Sequence, residues 1–507
     1  MRGYLLFLVP TFIALLWLVP RYGMRQALVA LYGFHLMFAF DFAALLPGNV
    51  NVLFVHLLLL AFVGLNSLYA IKTGKFQISP RIIFVVIPAI ILVLWMSLIT
   101  FVNRSSYWSM GRISTYVIRL YLVDALAIIV GIYLAHGQTG QRLIHFGQFL
   151  FFGCILDSIV AVIQTASFGT FLSSNSSEYY LGIFQPLGEK FLERRDLAEQ
   201  SFGFTEGVRT IQLGGMSFYR GWGTYDGAMV LLIIAAVVAT LWVTQPIMRK
   251  SKFLWIVLLF SWLGVIVAFF RTGLIILMTL TFLLLLLRFP IRLKPRIIIL
   301  NALLLMAATS IFVIAITLVT PLRNVVAANL DGLWGERGQK EFFTANGRLS
   351  LWRFVIAEAA VHPWTGSGEP ITSWKAGWGL NNDAELELSA HSTPLEYVYR
   401  GGIIPLGIYI ALNIYCLVRL VQLTFHKQLD AKQRVINGSV LLAFLAMWSY
   451  QQLNDIKVPQ IAMVYWMIVG FASAYSWQPF SNKTFIQEKS DVGWNSLTYT
   501  NAKYLPH

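Results

Sequence analysis

The chain has 507 residues, 57% of them hydrophobic and 12% charged, with a formal net charge of +15. So apolar a composition excludes one soluble domain folded around a single core and makes the bilayer the solvent. The basic residues sit in short breaks between apolar runs, where they set membrane topology, so the positive charge is not assigned to a nucleic-acid partner.

A spanning helix needs about 20 mostly apolar residues. In chain order the predicted spans are 4–19, 26–46, 51–70, 82–102, 113–135, 144–165, 225–243, 253–270, 272–288, 297–319, 402–422, 435–450 and 460–477. The expected fold is therefore all-α, a polytopic transmembrane helix bundle of about thirteen spans with two long extracytoplasmic loops. The first run lacks a polar stretch with a small-residue cleavage site and leads into Pro20-Arg21-Tyr22-Gly23 and a second span, so it is expected to be a retained anchor helix.

Arg21 and Arg25, Lys72 with Lys75 and Arg81, Arg249 with Lys250 and Lys252, Arg288 to Arg296, and Arg419 to Arg434 fall on alternate loops. The positive-inside rule makes those loops cytoplasmic, the N-terminus external and the tail internal. The expected division is 1–165 N-terminal spans, 166–224 first long periplasmic loop, 225–319 central spans, 320–392 catalytic periplasmic loop, 393–477 C-terminal spans and 478–507 cytoplasmic tail. Cys154 and Cys416 lie within spans and are read as packing residues, neither a disulfide nor a metal pair. The sequence shows no internal repeat and no nucleotide-binding glycine loop.

The two long outer loops hold a large share of the Arg, Glu, Asp, Trp and Gly. For an enzyme, this places the chemistry outside. The cytoplasmic loops are too short for a nucleotide-sugar domain, so an activated substrate would already be lipid-linked and across the membrane. The second loop carries Asn346-Gly347-Arg348-Leu349-Ser350-Leu351-Trp352, then His362-Pro363-Trp364-Thr365-Gly366-Ser367-Gly368, then Ala390-His391-Ser392. Leu351, Phe354, Val355, Ala357 and Ala359 suit a short amphipathic helix between Ser350 and Ala360, with Arg348 at its start and Pro363 and the two glycines ending it in a turn. His391 stands at the mouth of the next helix, and nine residues intervene between Ser392 and Gly402.

These motifs resemble the O-antigen ligase/polymerase family: Gly-Arg, then Trp, then Pro with a Gly-x-Gly turn, then His with Asn, Ser or Gln, and a glycine entering a helix. Arg271-Thr272-Gly273 is similar to the family's Arg-Thr-Gly at the outer end of a span, and Arg220-Gly221-Trp222-Gly223-Thr224-Tyr225 to its Arg-x-x-Gly-Thr-Phe entry to an earlier one. The likeness runs from about Arg220 to Gly407 and departs at Pro405, where the family has Gly, Thr or Tyr. It implies a GT-C-like fold in the bacterial inner (cytoplasmic) membrane and a metal-independent inverting glycosyltransferase without cofactor. It further implies a polyprenyl (undecaprenyl) diphosphate-linked glycan donor and a glycan or lipid-linked acceptor. A chain-length regulator and a flippase of the same pathway are the expected partners.

The residue types suit that chemistry. Diphosphate is a good leaving group, and an arginine stays charged and grips phosphate oxygens bidentately, so Arg271 and Arg348 are the candidates to stabilise it. The acceptor hydroxyl needs a base, and His391 is the candidate; Glu385, Glu387 and Glu396 stand next. Arg220 and Arg119 are candidate substrate contacts, and the indoles of Trp352 and Trp364 are candidate sugar platforms.

Each has a plainer reading. Arg271 alone could snorkel to the interface, Arg348 alone could be a solvated loop residue, and His391 alone could be a hydrogen-bonded structural histidine. Arg119 and Asp124, five apart, do not stack on one helix face, so the plainer reading of Arg119 is an interhelical structural pair, and Trp352 and Trp364 could pack the loop onto the membrane. Asp383, Glu385, Glu387 and His391 lack tight metal-binding spacing. Repeat-unit polymerisation of O-antigen or exopolysaccharide is placed ahead of ligation to lipid A-core or protein. A polysaccharide or lipid transporter and a structural assembly protein are the readings of other classes; a transporter predicts repeated halves and broken helices at mid-bilayer.

Overall fold

A computed structural model of the chain describes residues 16–20, 27–34, 36–37, 82–102, 123–135, 141–166, 210–213, 216–219, 228–245, 250–268, 271–287, 345–368, 371–372, 387–388, 390–426, 429, 431–453 and 459–474. The described elements are helices and two short antiparallel ribbons. Helices α1 (Ile83–Val102), α2 (Val123–Ala135) and α3 (Gln141–Ala166) come first. A hairpin follows, β1 (Thr210–Leu213) with β2 (Met216–Tyr219), Leu213 facing Met216. Next are α4 (Ala228–Thr244), α5 (Lys252–Val267), α6 (Arg271–Leu287) and α7 (Ala345–Val361). The second ribbon, β3 (Ile371–Thr372) with β4 (Glu387–Leu388), leads to α8 (Thr393–Gly401), α9 (Ile403–Phe425), α10 (Ala431–Leu453) and α11 (Pro459–Ala474).

The helices follow the apolar runs. The predicted spans at 82–102, 144–165, 225–243, 253–270, 272–288, 402–422, 435–450 and 460–477 correspond to α1, α3, α4, α5, α6, α9, α10 and α11. The span at 113–135 is described from Val123 as α2, and those at 4–19 and 26–46 are helical where described. The spans at 51–70 and 297–319 lie outside the described residues. Among the described residues three helical stretches, Ile83–Val102, Arg142–Ile163 and Ile403–Phe425, are long and apolar enough to cross a membrane; Met229–Thr244, Lys252–Val267, Thr272–Leu285 and Ile461–Ser473 are shorter apolar helices.

Which face of each helix packs is a tertiary matter. In α1, Val85, Ala89, Leu92, Met96 and Ile99 are buried, while Phe84, Ile87, Ile91, Leu94 and Leu98 are exposed. Their spacing of three and four places the two sets on opposite faces, both apolar, as suits a helix between protein and lipid. Helix α4 is buried at every residue from 229 to 241 and packs on α5, α6 and α10, which makes it the centre of the bundle. Apolar side chains all round are what such a surrounded helix requires.

Helix α2 makes its most extensive contact with α11. A Cβ on Gly131 would overlap the Met467 backbone, and one on Gly470 the Ile128 backbone, so only glycine permits this approach. Buried polar groups find partners within the bundle: the Tyr409 hydroxyl donates to Gln451 Oε1 at 2.5 Å, Trp242 Nε1 to Ser439 Oγ at 2.7 Å, and Asn437 Nδ2 to the Leu423 carbonyl at 2.8 Å. Hydrocarbon offers no water to do this instead. Cys154 and Cys416 are buried and free, as packing residues should be.

Helix α7 begins at Ala345, five residues before the predicted start at Ser350, so Arg348 lies within its first turn. Ser350 is a good cap by residue type, but packing of α7 on α8 overrides that local preference. Helix α8 in turn packs on α1 and α9, so α7 and α8 form a cap joined to the bundle.

Candidate active site

The cap has a small core of its own. Leu351 and Val355, one turn apart on α7, are buried with Ile371 of β3, Ala390, and Tyr399 of α8; Phe354 and Leu395 border them. The Phe354 and Tyr399 rings lie 6.2 Å apart. Pairing of Ile371 with Leu388 brings the strand that leads to Ala390 and His391 onto this core.

The turn from His362 to Gly368 closes the far end of α8. A helix leaves its last carbonyls without internal donors; here the Ser367 N–H donates to the Tyr399 carbonyl at 2.6 Å and the Gly368 N–H to that of Arg400 at 2.9 Å. Trp95 Nε1 of α1 donates to the Gly401 carbonyl at 2.8 Å, and the Ile403 N–H returns to the Pro363 carbonyl at 2.8 Å. Gly366 and Gly402 have φ of 63° and 79°, and a Cβ on Gly366 would come within 2.5 Å of the Tyr399 oxygen. One on Gly402 would overlap the Trp364 carbonyl. The Pro363, Gly366 and Gly368 motif and the Gly401-Gly402 pair are thus two halves of one backbone joint.

At the near end of α8, His391 has a φ of 49°, the one non-glycine residue at positive φ among the described residues. An L-residue enters this region at a cost, so its surroundings must impose it. They do so through its neighbours. Trp352 Nε1 of α7 donates to the Ala390 carbonyl at 2.7 Å, and the Ala390 N–H donates to Glu396 Oε2 at 3.1 Å. Ser392, buried and extended, caps α8, and its carbonyl accepts from the Glu396 N–H at 2.9 Å. The other Glu396 oxygen pairs with Arg400 Nε at 2.5 Å, with Arg400 only 4% exposed. His391 itself is partly exposed. An imidazole in such a setting can reach a bound hydroxyl while its backbone stays fixed.

The other expected site residues are distributed as follows. Arg348 lies in the first turn of α7, four residues before Trp352, which reaches Ala390. Arg271 opens α6, which packs on α4, α5 and α10. Trp364 sits in the turn and is 67% exposed. Arg119 and Arg220 lie outside the described residues. Trp352 spends its N–H on the backbone beside His391, a hold that its residue type did not announce. Glu396, expected only as a reserve base, is held at both oxygens; its spacing of four from Arg400 was the available sign. Among the described residues no group of three or more His, Cys, Asp or Glu could hold a metal ion.

Residues 255–410 match the O-antigen ligase family. The match runs from α5 into α9 and contains Arg271, Arg348, Trp352, Trp364 and His391; it begins after Arg220 and Arg119. No curated protein matches the chain. This region, which holds the left-handed histidine, the clamp around it and the glycine joint, is similar to the O-antigen ligase family over 255–410 of the 507 residues.

Proposed function

We propose that the protein transfers a glycan from polyprenyl (undecaprenyl) diphosphate to an acceptor hydroxyl at the periplasmic face of the inner membrane, as a repeat-unit polymerase of O-antigen or exopolysaccharide. The observation that carries this is His391, partly exposed and held at φ 49°, on the same small core as the helix of Arg348 and within the family region.

In this reading His391 takes the acceptor proton as the hydroxyl oxygen bonds to the anomeric carbon, while the bond from that carbon to the diphosphate oxygen breaks. Attack from the face opposite the leaving group inverts the anomeric centre. Arg348 and Arg271 neutralise the departing diphosphate, with Arg220 and Arg119 as further contacts, so the step asks for no metal ion. Trp352 and Trp364 flank the glycan. The membrane-crossing helices form a GT-C-like bundle of about thirteen spans, with both long loops outside.

The description of the matched family favours a second reading, ligation of a finished chain to lipid A-core. Deletion of the protein followed by gel analysis of surface polysaccharide separates the two. Single repeat units on lipid A-core support the polymerase, and long chains left on the carrier support the ligase. Unchanged surface and secreted polysaccharide overturns both.

A further inference from the structure

We propose that Glu396 is the positioning residue for His391: its carboxylate, fixed by buried Arg400, holds the backbone just before the histidine and so aims the imidazole. The inference rests on His391 acting on the acceptor hydroxyl.

Glu396 ties down both neighbours of His391. Its Oε2 accepts the Ala390 N–H at 3.1 Å, on the side before the histidine, and its own N–H donates to the Ser392 carbonyl at 2.9 Å, on the side after. The residue between them is left one backbone conformation, the left-handed one at φ 49°. Glu396 cannot swing away, because its Oε1 is paired with Arg400 Nε at 2.5 Å and the two side chains are only 13% and 4% exposed. Separating them would strand a buried charge. Arg400 is itself anchored, since its carbonyl accepts the Gly368 N–H of the glycine joint. The chain of constraint runs from the joint through Arg400 and Glu396 to the N–H of Ala390, the residue before His391.

The same contacts make Glu396 unsuited to be the base. One oxygen is committed to a guanidinium and the other to a backbone N–H, which leaves the carboxylate occupied and mostly buried. Without the carboxylate the Ala390 N–H loses its partner, the turn before His391 shifts, His391 relaxes out of the left-handed region, and the ring leaves the line of the acceptor hydroxyl. A misplacement of about 1 Å can cost on the order of 100-fold in rate.

The test uses the full-length protein in detergent or lipid, with lipid-linked donor and acceptor. Glu396→Ala is expected to lower kcat on the order of 100-fold with donor KM nearly unchanged, while the thermal midpoint falls because buried Arg400 loses its counter-charge. Glu396→Gln, which keeps an acceptor for the Ala390 N–H, is expected to recover most of that loss; Glu396→Asp, too short to bridge Ala390 and Arg400, is expected to behave like the alanine variant. Adding Glu396→Ala to His391→Ala should slow the protein no further, since a residue acting through another has nothing left to act on. A Gln variant as slow as the Ala variant, with additive loss in the double variant, would make Glu396 a base and overturn the inference. Parallel falls in KM, kcat and thermal midpoint across all three variants would make it merely structural and overturn it equally. Where Glu396→Ala does not accumulate, the Gln and Asp variants decide by the same criteria. Normal turnover by His391→Ala defeats the reading of the histidine as base, whereas normal turnover by Glu396→Ala beside an inactive His391→Ala defeats only the present inference.

Discussion

The centre of the bundle and the cap above it are held by different forces. Helix α4 is buried from residue 229 to 241 by apolar neighbours on every side, and the α2 and α11 pair closes through Gly131 and Gly470. Placement there is shared among many weak dispersion contacts, each individually small. The cap has a core of five buried residues, and directed bonds do the rest: Trp352 to Ala390, Ala390 to Glu396, Ser367 to Tyr399, Ile403 to Pro363. A lipid-facing bundle tolerates small shifts, whereas a site that must meet a hydroxyl needs one geometry. The difference teaches where to expect separable effects: substitutions in the cap should change turnover, and those in the bundle should change stability.

The largest test of that contrast is His391→Ala. It should lower turnover by about 100-fold to 10,000-fold, the usual share of general-base help, while donor binding and folding persist; single-turnover kinetics beside a donor-binding measurement read this directly. Arg348→Ala should differ in kind, weakening donor binding and turnover together, because a lost charge affects the diphosphate before and during cleavage.

Breaking the joint comes next. Gly402→Ala must place a Cβ against the Trp364 carbonyl at a φ of 79°, where strain alone costs about 1–3 kcal/mol. Lower thermal stability and reduced turnover should appear together, by thermal unfolding in detergent and by assay. Trp352→Phe keeps the ring and loses the N–H to Ala390 at 2.7 Å, a bond of about 1 kcal/mol. Turnover should fall up to about tenfold, with the thermal midpoint barely moved.

The smallest effect belongs to the bundle. Tyr409→Phe removes the 2.5 Å bond to Gln451, and such interhelical bonds in membranes average about 0.6 kcal/mol. Stability should drop slightly and turnover remain unchanged. Equal loss of turnover in Tyr409→Phe and Trp352→Phe would erase the distinction between bundle and cap.

Parts of this were legible in residue order. Apolar runs of about 20 residues mark spans whatever they pack against, and eight of the predicted runs from 82–102 onward correspond closely to α1, α3 to α6 and α9 to α11. Gly214-Gly215 between Leu213 and Met216 is a hairpin signal that a search for spans overlooks. The start of α7 at Ala345 was not legible, because Asn346 and Gly347 are poor helix formers.

What the sequence determined by itself is the solvent, the number and order of apolar runs, and the residues of the family motifs, because composition and spacing are local properties. What only the tertiary structure decided is orientation. In α1 both faces are apolar, so only neighbouring helices select the stripe from Val85 to Ile99 as the buried one. The left-handed turn at His391 is likewise invisible in its residue type; it follows Ala390, whose carbonyl is held by Trp352, from a helix that starts far upstream, and whose N–H is held by Glu396, from the helix that follows. Hydrogen bonds between distant segments leave no periodicity in the chain, and those bonds aim the histidine.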